Sequence, residues 1–170
     1  MDSRRILITG AGSGIGAELA ALLAAAGHEV IATDIDRAAA LSVADAIVER
    51  GGAAVAYGLD ATQPSAAETA MRAAGHVDVL GNNAGLQHVA RLEEFPADRW
   101  ALLVAVMLTG AANMTRAVLP GMRAGNFGRI VNIGSIHSLV ASPFKSAYIA
   151  AKHGLIGLSK TLALENGDVD

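Results

Sequence analysis

The chain has 170 residues, of which 52% are hydrophobic, 4% aromatic and 17% charged. That balance excludes a disordered tract, and the length leaves room for one sizeable core but not for two. Thirteen Lys and Arg against sixteen Asp and Glu give a net charge of -3 with no basic run, which excludes the electrostatic footprint of nucleic-acid binding.

The absence of cysteine excludes disulfides, thiolate metal sites and cysteine nucleophiles, fits a reducing compartment, and leaves no metal expected. Met1 to Arg5 lead straight into a short apolar run that ends in glycines, too short for a secretory leader. No stretch approaches the roughly 18 apolar residues of a membrane helix. The expectation is a soluble, cytoplasmic protein with no membrane partner.

Short apolar runs alternate with longer segments of helical period, the pattern of βαβ units. Arg5 to Thr9 reads as the first strand, and Gly14 to Ala26 as a helix closed by Gly27. His28 to Thr33 is the second strand, Arg37 to Arg50 the second helix ended by Gly51-Gly52, and Ala53 to Gly58 the third strand. A weaker unit follows, with a helix over Ala66 to Ala74 and a short strand over Val77 to Leu80 before the loop Asn82-Asn83-Ala84-Gly85. Two helices, Ala97 to Val106 and Thr109 to Met122, come next, with Pro120 placed to kink or end the second. Arg129 to Ile133 is a buried strand by its β-branched content, and Ala147 to Glu165 a long helix. The expected product is an α/β fold, a Rossmann-like doubly wound parallel sheet that binds its ligand beyond the carboxyl ends of the strands.

The run Thr9-Gly10-Ala11-Gly12-Ser13-Gly14-Ile15-Gly16 follows a strand and opens a helix, the context a dinucleotide-binding turn requires. A strict fingerprint matches at Gly12, Gly14 and Ala17, while Gly10, Gly14 and Gly16 fit the turn better. Either spacing lets the backbone approach a pyrophosphate and aims helix N–H groups at its charge. Asp34, about 20 residues on, is placed to accept from ribose hydroxyls and favours NAD over NADP, although Arg37 lies close by. Asp34 or Asp36 could instead cap the next helix, and Asp60 could either contact the adenine or start a turn.

Ser135, Tyr148 and Lys152 form the most specific constellation. Tyr148 and Lys152, four apart on a helix, share a face, so the ammonium can favour the ionised phenol and make it an acid/base for an alcohol and ketone pair. Ser135, leaving the fifth strand, can hold the reacting oxygen.

Together, Thr9-Gly10-x-x-x-Gly14-Ile15-Gly16, Asn82-Asn83-Ala84-Gly85, Ser135 and Tyr148-x-x-x-Lys152 resemble the short-chain dehydrogenase/reductase family over the whole chain. The resemblance implies one dinucleotide-binding domain over residues 1–170 and hydride transfer to or from a nicotinamide. It also implies that Lys152 binds the nicotinamide ribose and that Asn82, Asn83, Ala84 and Gly85 brace the cofactor side of the sheet. A narrower resemblance, in Gly85 to Val89 and Gly134 to Tyr148, is to the members of that family that act on D-3-hydroxybutyrate; it implies that Gln87, His137 and Lys145 hold a substrate carboxylate. Their residue types agree, since they supply neutral and cationic donors on the loops flanking Ser135 and Tyr148. The alternative is three surface polar residues in mobile loops. His88 and His153 read as structural.

Three departures from the family pattern stand out. Met107 occupies the place of a family asparagine and offers no donor. Gly81 stands where a buried branched residue is expected, and the region between Asp60 and Asp78 looks short. The family continues beyond the position of Asp170 with elements that cover the nicotinamide and the fifth strand, so an exposed sheet edge is expected. The resemblance further implies a homotetramer through the segments Thr109 to Met122 and Ala147 to Glu165.

Overall fold

The computed structural model describes residues 2–167. Five strands, β1 (Arg5–Thr9), β2 (Glu29–Asp34), β3 (Ala53–Gly58), β4 (Val79–Asn82) and β5 (Arg129–Asn132), form one parallel sheet in the order β3-β2-β1-β4-β5. Helices α1 (Gly14–Ala25), α2 (Arg37–Glu49), α3 (Pro64–Ala74), α4 (Ala97–Val104), α5 (Gly110–Ala124) and α6 (Ser146–Glu165) connect or follow them. This is the doubly wound Rossmann architecture expected from the alternation of runs.

Successive side chains of a strand point to opposite faces, and here both faces are buried. Ile6, Ile8, Val30 and Ala32 pack with Ala20 and Ala24 of α1 and Ile47 of α2. Leu7, Ile31 and Leu80 pack on the other face with Ala67, Ala70 and Ala74 of α3 and Met114, Val118 and Met122 of α5. Alanines at these contacts let helices lie close to the sheet, which is how a chain with so few aromatics fills its core. A third cluster, Phe95, Leu103, Met107, Ala147 and Ala151, joins α4 to α6.

Most boundaries fall within one residue of the sequence reading, and four departures are larger. Helix α3 starts at Pro64 rather than Ala66, with the proline in the first turn, where its missing N–H costs nothing. Strand β4 runs two residues later than expected. Val77 is buried, but pairing with β1 begins at Ile6 and Val79. Asp78 marks that start. Its carboxylate accepts the Arg5 N–H at 2.8 Å, and its own N–H donates to the Arg5 carbonyl at 2.9 Å. Burial pushes the Asp78 carboxyl up, but the Arg5 N–H, His76 and Arg4 outweigh it and hold the group below its ordinary value.

The other two differences concern α5. It continues past Pro120 to Ala124, since the exposed Pro120 and Arg116 leave the freed Arg116 carbonyl to water. The break expected before Thr109 is a π-helical turn, Ala105–Thr109, so Ala97–Ala124 is one helical run of 28 residues. By length and composition this run could cross a membrane, contrary to the sequence reading. Its Leu103, Met107, Met114, Val118 and Met122 are buried in the fold, as in a core helix.

Strand β5 stands at one edge of the sheet, with Arg129 and Val131 exposed. Gly81, in β4, has extended backbone, and a Cβ there would lie 3.6 Å from Ile8 Cγ1, an ordinary contact. Gly81→Ala is therefore expected to stabilise the fold by about 0.4–1 kcal/mol, chiefly by restricting the unfolded chain. A rise in the urea midpoint at unchanged slope checks it.

Candidate active site

In the order β3-β2-β1-β4-β5 the chain leaves β1 toward one side of the sheet and β4 toward the other. The loops after these two strands diverge and open a crevice at their carboxyl ends. A groove of about 570 Å³ lies there, lined by Gly10, Ser13, Gly14, Ile15, Asp34, Asp60, Asn83, Ala84 and Gly85 among others. These are nine of the positions expected to hold a dinucleotide.

The glycine turn explains its own spacing. Gly10 and Gly14 have φ of +64° and +53°, the left-handed region that favours glycine. Gly16 lies behind the groove wall, where a Cβ would sit 2.1 Å from the Gly10 carbonyl oxygen and 2.6 Å from Asn83 Nδ2. The spacing Gly10, Gly14, Gly16 thus carries the turn. Gly12 is required for another reason, because a Cβ there would meet Ala39 Cβ at 2.8 Å and Asp34 Oδ2 at 2.9 Å. Gly16→Ala is expected to cost about 1–3 kcal/mol, since the clash is with backbone that cannot rotate away. Chemical denaturation measures it, and a weakened response to nicotinamide dinucleotide should accompany it.

Helix α1 begins without a side-chain cap, so its first N–H groups face the groove with no capping partner, a fit to a pyrophosphate. Asp34 Oδ2 accepts the Gly12 N–H and Oδ1 the Asp36 N–H, both at 3.0 Å. Each oxygen keeps a lone pair for a hydroxyl donor. Asp36, not Asp34, caps α2, through Ala38 and Ala39. The Asp60 carboxylate accepts from Thr62 N at 2.9 Å and Thr62 Oγ1 at 2.7 Å, both on one oxygen. It therefore does start a turn, and its other oxygen stays free of these bonds.

Asn83 clasps the glycine turn. Its Nδ2 donates to the carbonyls of Thr9 and Gly10 at 3.0 and 3.1 Å, while the Thr9 hydroxyl oxygen accepts the N–H groups of Asn83 and Ala84. Asn82 points into the fold and donates to Asn132 Oδ1 at 2.9 Å.

Tyr148, half-buried, and Lys152, 5% exposed, line a pocket of about 370 Å³ with Gln87, Met107 and Gly134. This pocket shares Ile15, Asn83, Gly85 and Leu86 with the groove, so the two are contiguous. Lys152 Nζ lies 5.7 Å from the Tyr148 ring centroid and donates a short hydrogen bond to the Ile133 carbonyl. Burial pushes the Lys152 ammonium below its ordinary value. Among the described residues no carboxylate pairs with it.

Ser135 caps the short 3-10 turn Ile136–Ser138, accepting the His137 N–H at 3.1 Å and leaving its own proton available. Lys145 Nζ lies 3.4 Å from His137 Nε2, and the His137 ring meets the Tyr148 ring edge-on at 6.2 Å. Gln87 thus shares the pocket of Tyr148 and Lys152; His137 touches the Tyr148 ring from outside that lining, and Lys145 lies beside His137. His88 stacks edge-on against Phe95 at 4.9 Å, and His153 bonds the Ile149 carbonyl of its own helix.

Several residues escaped the sequence reading. Ser138 Oγ accepts the Ser135 N–H at 3.1 Å, completing a capping box whose three-residue spacing was a usable signal. Asn113, buried on α5, donates to the carbonyls of Ala61 and Thr62 and holds the loop after β3. Phe144 has φ of +67°, a strained conformation for a bulky residue, and its carbonyl accepts the Ala90 N–H at 3.0 Å, linking the loops that carry Gln87 and Lys145.

A five-stranded parallel sheet, a glycine turn opening on α1 and an acidic residue ending β2 define a Rossmann-type dinucleotide-binding protein. Residues 4–169 match the family described as short chain dehydrogenase, and the chain belongs to that family. It is 43% identical over 169 residues to the D-beta-hydroxybutyrate dehydrogenase of Cupriavidus necator, covering 97% of this chain, and 41% identical over 177 residues to that of Rhizobium meliloti, covering 96%. It superposes with a TM-score of 0.92 and 36% identity on a gluconate 5-dehydrogenase from Burkholderia cenocepacia solved with NADP and tartrate, covering 97% of this chain. The matched region spans 66% of each of these three proteins.

Proposed function

We propose that the protein is an NAD-dependent oxidoreductase that interconverts (R)-3-hydroxybutyrate and acetoacetate. The observation that carries this reading is the contiguity of the uncapped glycine turn with a pocket holding Tyr148, Lys152 and Gln87. Gly10, Ser13, Gly14, Ile15 and Gly16 would form the pyrophosphate side of the nicotinamide dinucleotide site. Asp34 and Asp60 would form its adenosine side, and Asn83, Ala84, Gly85, Tyr148 and Lys152 its nicotinamide side. The nicotinamide ring, held there, would supply the hydride acceptor for oxidation of the carbinol carbon.

The chain's own residues handle the proton. Tyr148 takes it from the substrate hydroxyl on oxidation and returns it to the carbonyl on reduction. Ser135, its oxygen occupied as a cap acceptor, donates its hydrogen to the reacting oxygen and holds it as charge changes. Lys152 favours the ionised phenol and would hydrogen-bond the ribose of the cofactor. Gln87, His137 and Lys145 hold the carboxylate, which fixes the carbinol carbon over the nicotinamide site. Met107 contributes packing alone where the family has an asparagine, so any proton route outward from Lys152 runs through water.

Initial rates with D-3-hydroxybutyrate and with 2-butanol, which lacks the carboxylate, test this reading in the wild type and in Lys145→Ala. The expected result is a strong preference for the hydroxy acid that Lys145→Ala erases by raising KM. Equal rates on both alcohols would instead indicate a family member acting on another small secondary alcohol. Titration of NAD and NADP by calorimetry, with tighter binding of NAD expected from Asp34, separates a working enzyme from a body that binds the cofactor without turnover.

A further inference from the structure

A directional chain of hydrogen bonds runs behind the proposed catalytic pair and is not part of it. Asn82 Nδ2, on β4, donates to Asn132 Oδ1 at 2.9 Å; Asn132 Nδ2, on β5, donates to Ser159 Oγ at 2.8 Å; and Ser159, on α6, donates to the Leu155 carbonyl at 2.7 Å. Each Asn132 amide atom and the Ser159 hydroxyl is thereby oriented. Asn82 is 7% exposed, so the β4 end of the chain is anchored in the interior.

The next residue after Asn132 is Ile133, whose carbonyl receives Lys152. Helix α6 is therefore tied to β5 and its continuation at two points: Lys152 to Ile133, and Ser159 to Asn132. These contacts on α6 are seven residues apart, two turns or roughly 10 Å along one face. Ala147 and Ala151 also pack α6 against α4, but apolar contact is non-directional and sets rotation less sharply than hydrogen bonds do. Two tethers on one face fix its rotation as well as its height, and Tyr148 lies one turn before Lys152 on that face.

We propose that Asn132 and Ser159 are positioning residues that set the rotation of α6, and through it keep Lys152 buried on the Ile133 carbonyl and aimed at Tyr148. This rests on the reading of Tyr148 and Lys152 as the proton-handling pair. In the pocket, the titratable group beside Lys152 is Tyr148, while Asn83, Gln87 and Met107 are uncharged, so a change at Lys152 reports its burial and its distance from the phenol.

The test is NMR titration of the full chain labelled with [ε-13C]lysine. The sequence contains only Lys145, Lys152 and Lys160, and Lys152→Arg assigns the signal. In Ser159→Ala, and separately in Asn132→Ala, the Lys152 signal is expected to titrate at higher pH, back toward the ordinary lysine value. In parallel, kcat should fall about tenfold or more at unchanged KM. Ser159→Thr, which keeps the hydroxyl, should restore both. A merely structural role would lower the thermal midpoint without moving the Lys152 titration in the folded protein. An unmoved Lys152 signal in both folded alanine variants overturns the proposal. If the wild type turns over no alcohol, the proposed reaction fails, while the lysine signal still decides the positioning role.

Discussion

Tyr148→Phe is expected to lower kcat by about 10³-fold while leaving NAD binding within a small factor of wild type. Positioned acid/base groups contribute roughly 10²- to 10⁴-fold, and the middle of that range fits a site in which His137 touches the Tyr148 ring edge-on and is assigned to the carboxylate instead of the reacting oxygen. The phenylalanine keeps the ring, so its edge contact with His137 and its place over Lys152 should survive. Loss of the hydroxyl then removes the proton acceptor and little else. Equal loss in kcat and in cofactor affinity would mean that the hydroxyl holds the cofactor rather than moves a proton.

Lys152→Met separates activity from stability. Lys152 is 5% exposed, its described hydrogen bond is to one carbonyl, and burial pushes the ammonium below the ordinary lysine value. A methionine of similar length removes a buried charge that no carboxylate among the described residues offsets. Turnover is expected to fall by about 10²-fold or more. The unfolding midpoint at neutral pH should hold or rise. Below the lowered folded-state value both folded and unfolded chains carry the proton, so the wild type bears the full cost of the buried charge. As pH rises through that value toward the ordinary lysine range, the folded protein releases the proton while the unfolded chain keeps it. Wild-type stability therefore gains on Lys152→Met with rising pH, and the gap closes on the alkaline side. Denaturant melts of both proteins across this range check the sign. A gap that widens with pH would mean that Lys152 is not buried as a cation.

The contrast between what the sequence discloses and what it hides follows from locality. The turn after β1 is legible because its demands, two positive φ angles and one clash-free glycine, act within eight residues. Tyr148 and Lys152 are legible because helical period alone brings them together. Strand β4 is misplaced by two residues because an apolar run shows burial, as at Val77, but not register. Asp78, through its bonds to Arg5, sets the register from more than 70 residues away. The join of α4 to α5 is hidden for the same reason. The gap expected at Met107-Leu108 lies inside a π turn, Ala105–Thr109, that carries the helix through, with Met107 buried and Gly110 close to Ala61. Asn113, Asn132 and Ser159 give no signal in sequence because their partners lie on distant elements and several are backbone carbonyls.

The most direct test of the central claim is to supply D-3-hydroxybutyrate deuterated at C3, with NAD, and follow both products by NMR. Deuterium is expected on the nicotinamide ring of the reduced cofactor, in equal amount to the acetoacetate formed, and both products should form about 10³-fold more slowly with Tyr148→Phe. NAD that binds by calorimetry but gains no deuterium, or transfer that persists in Tyr148→Phe at the wild-type rate, would contradict it.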